Sequence, residues 1–201
     1  MKLVAIVGSM RKGKATDTLV DKAIEGALSK DNKIEVKKIY LSDQNIQYCR
    51  NCLACRDSKT TEPVAKCSLR DDMDFISKDI FEADALIFAT PLHIAHPTAL
   101  MMTFLERTCW VFAKPEKKML IVHGCPMPRG KKNRKAMMII TNAIVPPIFR
   151  WFCDNASQAM RDVLKDCINS RIVGELYAGS IEKRGVEYYF EKARALGMKL
   201  A

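Results

Sequence analysis

Residues 2–8, KLVAIVG, form an unbroken apolar run that stops at a glycine, and a loop of Gly, Ser, Thr and cations follows at once. An apolar run of this length without polar alternation fits a strand covered on both faces, as in a parallel sheet. A parallel neighbour can be reached only through a crossover, normally a helix. The next residues supply one. From Thr16 to Ser29 the apolar positions Leu19, Val20, Ala23, Ile24, Ala27 and Leu28 recur at helical spacing, with Thr16 or Asp17 as the N-cap. Lys33 to Leu41 (KIEVKKIYL) then alternates as a second, more exposed strand.

The pattern repeats down the chain. Asp71 to Glu82 reads as a helix with acidic residues at its positive end, and Ala85 to Thr90 (ALIFAT) as a third buried strand stopped by Pro91. Pro97 suits the first turn of a helix running to about Phe112. Met137 to Thr141 is a fourth strand, Trp151 to Ile168 an amphipathic helix, Arg171 to Ala178 a fifth strand, and Val186 to Leu200 a last helix. Strands alternating with helices predict an α/β fold, a doubly wound five-stranded parallel sheet with helices on both faces. The 201 residues suit a single domain, 1–201, with a cysteine-rich loop at 48–68. An insertion at about 113–135 exceeds the usual connection and has room for an extra strand or a flap.

Composition narrows the class. Hydrophobic residues are 48% and charged residues 28%, which excludes a solvated polymer and a membrane bundle. The net charge of +10 favours anionic partners without choosing among them. The apolar run at the N-terminus is cut off by Arg11 and Lys12, too early for a signal peptide, and no run approaches the ~18 residues of a membrane span. A reducing cytoplasm is therefore expected, and no membrane partner.

In an open α/β sheet, ligands bind beyond the carboxyl ends of the strands. The loop Gly8 to Thr16 (GSMRKGKAT) lies there. Its amides and the following helix N-terminus favour a phosphate, Ser9 and Thr16 add hydroxyls, and Arg11 adds a forked charge. Against this stands the plain turn, since many strand-to-helix turns use Gly, Ser and Thr. Gly8-x4-Gly13-Lys14 approaches the nucleotide P-loop, yet Ala15 stands where the Mg²⁺-binding hydroxyl belongs and Thr16 comes one residue late. The dinucleotide pattern G-x-G-x-x-G is missing. A mononucleotide phosphate held without Mg²⁺ points to FMN.

Four of the eight cysteines, Cys49, Cys52, Cys55 and Cys67, fall within 19 residues. Cys49-x2-Cys52-x2-Cys55 suits three corners of a 4Fe-4S cluster with Cys67 as the fourth ligand. Zinc fits less well, because neither a second C-x2-C nor a nearby His follows. Reduced structural or redox thiols remain the competing reading. Cys109, Cys125, Cys153 and Cys167 are scattered, and Cys109 and Cys167 read as buried small apolar residues. Arg129 to Lys135 (RGKKNRK) is the best stretch for nucleic-acid contact, but without interleaved aromatics a solvated loop is the stronger reading and a nucleic-acid partner is not expected. The helix face around Phe104, Trp110 and Phe112 hints at a homodimer.

The order of GSMRKGKAT, YCRNCLAC, CSLRDDM and EADALIFATPLHIAHPTALMMTFLERT across Lys2 to Thr108 resembles the flavodoxin-like NADPH-dependent FMN reductase family, including its iron-sulfur flavoprotein branch. The resemblance implies an oxidoreductase moving electrons from NAD(P)H through FMN to a small-molecule or protein acceptor, or an electron carrier with FMN and a 4Fe-4S cluster. By position it places Ser9, Arg11 and Thr16 on the FMN phosphate with the amides of Lys14 and Ala15. Pro91, Leu92, His93 and Ile94 would lie along the flavin ring, with Thr141, Asn142 and Ala143 as a third loop. Members often carry Asn at the position of Ala15 and an aromatic residue at that of His93. A reduced nicotinamide would stack on the flavin and pass hydride to it, so no catalytic side chain is required; His93 and His96 read as loop or cap residues.

Overall fold

The computed structural model describes residues 1–201. Leu3 to Val7 are fully buried because their strand, β1 (Lys2–Val7), is flanked on both sides and covered on both faces. It is followed by α1 (Ala15–Lys30), β2 (Glu35–Tyr40), α2 (Met73–Glu82) and β3 (Ala85–His93). The two-residue β4 (His96–Pro97) folds back on β3 and leads into α3 (Ala99–Phe112). A hairpin of β5 (Ala113–Met119) and β6 (Val122–Pro128) precedes β7 (Arg134–Thr141), α4 (Asn155–Asp162) and β8 (Ser170–Ala178). The short α5 (Ile181–Arg184) and α6 (Phe190–Gly197) end the chain. The five long strands are parallel in the order β2-β1-β3-β7-β8, the doubly wound α/β arrangement read from the alternation.

Alternate residues of the central strands feed two cores. Ile6, Phe88 and Met138 pack under α2, α3 and α4, where Phe88 meets Phe104 edge to face at 5.3 Å. Ala5, Ile87 and Met137 pack under α1 and α6 on the other face. There the two helices touch through backbone: a Cβ on Gly26 would lie 2.1 Å from Arg194 O, and one on Gly197 would lie 1.9 Å from Ala23 O.

Several boundaries differ from the sequence expectation. Helix α1 begins at Ala15, so Thr16 and Asp17 sit inside its first turn, and the N-cap position, Lys14, makes no side-chain cap bond. Pro97 belongs to β4, and Thr98 caps α3 by accepting from Met101 N at 3.2 Å. Trp151 lies in a 3-10 turn, Pro147–Phe152; α4 starts only after Asp154, whose carboxylate accepts from Ser157 N at 2.9 Å, and it runs out as a π turn, Val163–Cys167. A 3-10 turn, Glu187–Tyr189, precedes the last helix. Of the helix face read as a contact for a second copy, Phe104 and Phe112 are core residues and Trp110 is half-buried. The exposed apolar side chains lie instead at Ile144, Ile148, Phe149, Trp151 and Phe152 and at the hairpin tip, Leu120–Ile121.

Four of the five cations in the basic stretch at 129–135 are engaged within the fold, Lys131 being the exception. Arg134 is buried and donates to Ile80 O, Phe81 O, Lys132 O and Ile168 O, while Lys132 reaches Glu82 O and Asp84. These cations satisfy the last carbonyls of α2, which have no partner within the helix. Arg129 donates to Ala113 O and, across 74 residues, to Cys55 O, so it clasps the cysteine loop to the hairpin.

Candidate functional site

At the carboxyl edge of the sheet, β1, β3 and β7 deliver three loops to one place, and hydrogen bonds lock them together. Gly8 N donates to Ala89 O at 2.8 Å, fastening the first loop to β3. Thr98 Oγ1 donates to Gly8 O at 2.6 Å, and Thr98 N donates to Thr90 Oγ1 at 3.2 Å. Thr16 Oγ1 lies 2.7 Å from Thr141 Oγ1, both buried, which ties the start of α1 to the end of β7. Sequence spacing does not reveal this hydroxyl pair, which spans 125 residues. Reading Pro97 as the start of the helix passes over Thr98, although a Thr just before an apolar helical run is a cap signature.

The first loop presents donors without acceptors. The amides of Lys14, Ala15, Thr16 and Asp17 donate to no protein atom. Gly13 takes a left-handed φ of 67°, open to a residue without a Cβ, and its amide donates to Asp17 Oδ2 at 2.6 Å. That carboxylate would oppose an anion were it free, but it is paired with Lys38 and accepts from Tyr40 Oη. Burial by itself would raise Asp17; the Gly13 amide, Lys38 and Tyr40 outweigh it and hold it below the usual carboxylate range. Ser9 is buried, with its hydroxyl accepting from Arg11 N at 3.2 Å. The Arg11 and Lys14 side chains are exposed and lack a carboxylate partner, whereas Lys12 is drawn off to Asp43 at 2.5 Å. An uncapped helix N-terminus with unmatched amides beside an unpaired guanidinium has the donors that an anion requires.

Beside it, Pro91 and Leu92 are half-buried and His93 and Ile94 are exposed. Ile94 and Ala95 form the tip of the β3–β4 turn with φ of 51° and 63°, a conformation that costs a β-branched residue energy. Asn155 N holds the turn by donating to Ala95 O at 2.9 Å. In the third loop Asn142 Oδ1 accepts from Ile144 N and Val145 N, which leaves Ala143 exposed at the rim. Their neighbours Ile144, Ile148, Phe149, Trp151 and Phe152 make this rim apolar, and the Trp151 and Phe152 rings stack with centroids 3.4 Å apart.

The cysteine loop is a separate construction. Its two ends are joined through Arg107, 1% exposed, which donates to Gln47 O at 2.7 Å and forks onto the fully buried Asp71 at 2.6 and 3.0 Å. Burial pulls Asp71 upward, but Arg107 and the amides of Gln47 and Met73 overcome it and hold its carboxyl below the usual range. This buried pair has no sequence signal. Asn51 and Leu53 turn the loop with left-handed φ of 47° and 61°. Cys52 lies 3.0 Å from Ser68 Oγ, whose hydrogen bond draws that thiol down; burial, then the neighbouring Cys67 and Cys49, push Cys55 up. Four thiols are the right chemistry for an iron-sulfur cluster, yet no three His, Cys, Asp or Glu side chains converge as a metal site in this arrangement. No helix is long and apolar enough to cross a membrane.

The family model described as NADPH-dependent FMN reductase matches residues 1–143, which contain the first loop, the β3–β4 turn, the cysteine loop and the end of β7. The chain belongs to this family. An iron-sulfur flavoprotein of Archaeoglobus fulgidus is 35% identical over 107 residues, covering 53% of this chain and 45% of that protein. An iron-sulfur flavoprotein of Methanosarcina thermophila is 30% identical over 108 residues, covering 54% of this chain and 52% of that protein. The matched segment thus spans about half the length of these relatives. Among solved structures, the NAD(P)H:quinone oxidoreductase from Methanothermobacter marburgensis aligns with a TM-score of 0.73 at 16% identity, over 100% of this chain and 99% of that one. At that identity the likeness concerns the fold alone. Residues of this FMN reductase family member from 144 onward, including the apolar rim and the π turn, lie outside the family match.

Proposed function

We propose that this chain binds FMN at the carboxyl edge of its sheet and passes electrons from NAD(P)H to a small-molecule or protein acceptor. The observation that carries this reading is the set of four consecutive amides, residues 14–17, that find no acceptor in the protein, beside an Arg11 guanidinium with no partner. Those amides, Ser9 and Thr16 would hold the flavin phosphate, with Arg11 closing over it from solvent. Pro91, Leu92, His93 and Ile94 would border the ring on one side and Asn142 and Ala143 on the other. When bound, FMN supplies hydride acceptance and electron release, which no side chain here provides. The chain's own contribution is placement. The Thr98 and Thr16–Thr141 bonds keep the loops in register, and the β3–β4 turn, pinned by Asn155 N, would border the ring's edge. Protein reconstituted with FMN should consume NADPH or NADH, followed by loss of nicotinamide absorbance, faster than the same concentration of free FMN; equal rates would remove the reading.

A second reading adds a 4Fe-4S cluster on Cys49, Cys52, Cys55 and Cys67. What favours it is the thiol count on one clasped loop and the name carried by the two relatives above. The thiols must move together for it, so no step is assigned to a cluster. Iron and acid-labile sulfide near four of each per chain in anaerobically isolated protein support this reading, and values near zero dispose of it.

A further inference from the structure

The cysteines outside the 48–68 loop are not equivalent. Cys109 lies in the last turn of α3 and Cys167 in the π turn that ends α4; their sulfurs stand 3.5 Å apart, and both are free thiols. No other cysteine pair is in hydrogen-bonding contact. The π turn belongs to this arrangement. Ile168 N donates to Val163 O at 3.0 Å, a bond five residues long that widens the final turn by one residue, and Cys167 sits at its end against α3.

The two thiols have different surroundings. Cys167 is buried, donates to the Cys109 sulfur and stands near the Asp166 and Asp162 carboxylates; Cys109 is half-buried and receives the bond. Donation to Cys109, burial and the two carboxylates keep Cys167 protonated far above the ordinary thiol range, and the accepted hydrogen bond draws Cys109 down. One sulfur is thus the better nucleophile, and the other is a protonated neighbour within reach.

We propose that Cys109 and Cys167 form an oxidation site, a dithiol that a hydroperoxide converts to an intramolecular disulfide. The Cys109 thiolate attacks the peroxide oxygen, so an S–O bond forms, the O–O bond breaks, and the leaving alkoxide or hydroxide takes a proton. The Cys167 sulfur then attacks the resulting sulfenic acid; the S–S bond forms, the S–O bond breaks, and hydroxide departs with the Cys167 proton as water. Two thiols are oxidised, and the peroxide is reduced to an alcohol, or to water, plus water. The sulfurs close from 3.5 Å to the bonded distance of about 2.05 Å. Cys109 is eleven residues beyond Thr98 on α3, about 16 Å along the helix from the candidate flavin site, so the reaction needs no flavin.

The test is peptide mapping of the full chain, reduced, treated with hydrogen peroxide in rising equivalents, alkylated and digested without reductant. The expected product is the Cys109 peptide joined to the Cys167 peptide, lighter by two hydrogens than the two thiol peptides together. Cys167→Ser should instead accumulate a sulfenic acid at Cys109 that dimedone traps. Recovery of both cysteines as alkylated thiols while cysteines of the 48–68 loop oxidise would overturn the proposal, as would linkage of Cys109 to another cysteine. The wild-type map decides the matter even if the variant does not fold.

Discussion

Arg11 and Lys14 are the cations of the first loop without a carboxylate partner, and Arg11 alone offers a planar fork to a phosphate. A charge-assisted hydrogen bond is worth roughly 1.5 to 3 kcal/mol, so Arg11→Ala should raise the FMN dissociation constant by about 10- to 150-fold without lowering the melting temperature. Fluorescence titration and a thermal scan on one preparation check both halves. Asp71 makes the opposite kind of contribution, to the fold. Its carboxylate is the sole counter-charge of a guanidinium that is 1% exposed, and Asp71→Asn leaves that charge buried and unpaired, at a cost of about 3 to 5 kcal/mol in denaturant unfolding. The sign of its pH dependence follows from its lowered pKa. The Asp71 contribution is present above the unfolded carboxyl value of about 3.9 and fades as pH falls through the lower folded value. Acid unfolding of the wild type should therefore steepen below about pH 4, and that increment should be missing in Asp71→Asn.

Elements were legible where one short-range rule decides them. β1, β3 and β7 are apolar runs that only a two-sided sheet position can bury, and Leu3–Val7, Ala85–Ala89 and Ala136–Ile140 are buried throughout. Legibility failed where a distant partner sets the boundary. Helix α4 does not start at Trp151 because Pro146 and Pro147 and the Asp154 cap divide the amphipathic pattern, and the exposed aromatics fall on the wrong side of the division. Arg134 reads as a surface cation until α2 is placed above it with its terminal carbonyls unmatched. The α1–α6 contact is of the same kind, since Gly26 and Gly197 look like two ordinary helix glycines, yet each meets the other helix's backbone. Gly197→Ala should therefore cost about 3 kcal/mol, far above the ordinary effect of alanine in a helix, where it is normally the better residue. Chemical denaturation settles this, and a variant as stable as the wild type would show that the helices can separate without loss.

For the molecule as a whole, the charge of +10 is less available than its sum implies. Arg107, Arg129, Lys132 and Arg134 hold backbone or buried carboxylates, and what remains unpaired beside the sheet edge is Arg11 with Lys14. The candidate site was half legible. The Gly8–Thr16 loop announces itself, because an anion site at a helix N-terminus is built from contiguous residues. The convergence of that loop with 90–98 and 141–143 is a property of strand order, and the clasp of the cysteine loop by Arg107 and Arg129 is a property of packing. Both halves meet in one claim, that the open amides of residues 14–17 receive the phosphate of FMN. Titration of flavin-free protein with FMN, read by quenching of flavin fluorescence with riboflavin as the phosphate-free control, tests it most directly. Saturation at one FMN per chain, with riboflavin binding weaker by at least tenfold, or ~1.4 kcal/mol, is the predicted result; riboflavin binding as tightly as FMN, or no saturable binding of either, would contradict it.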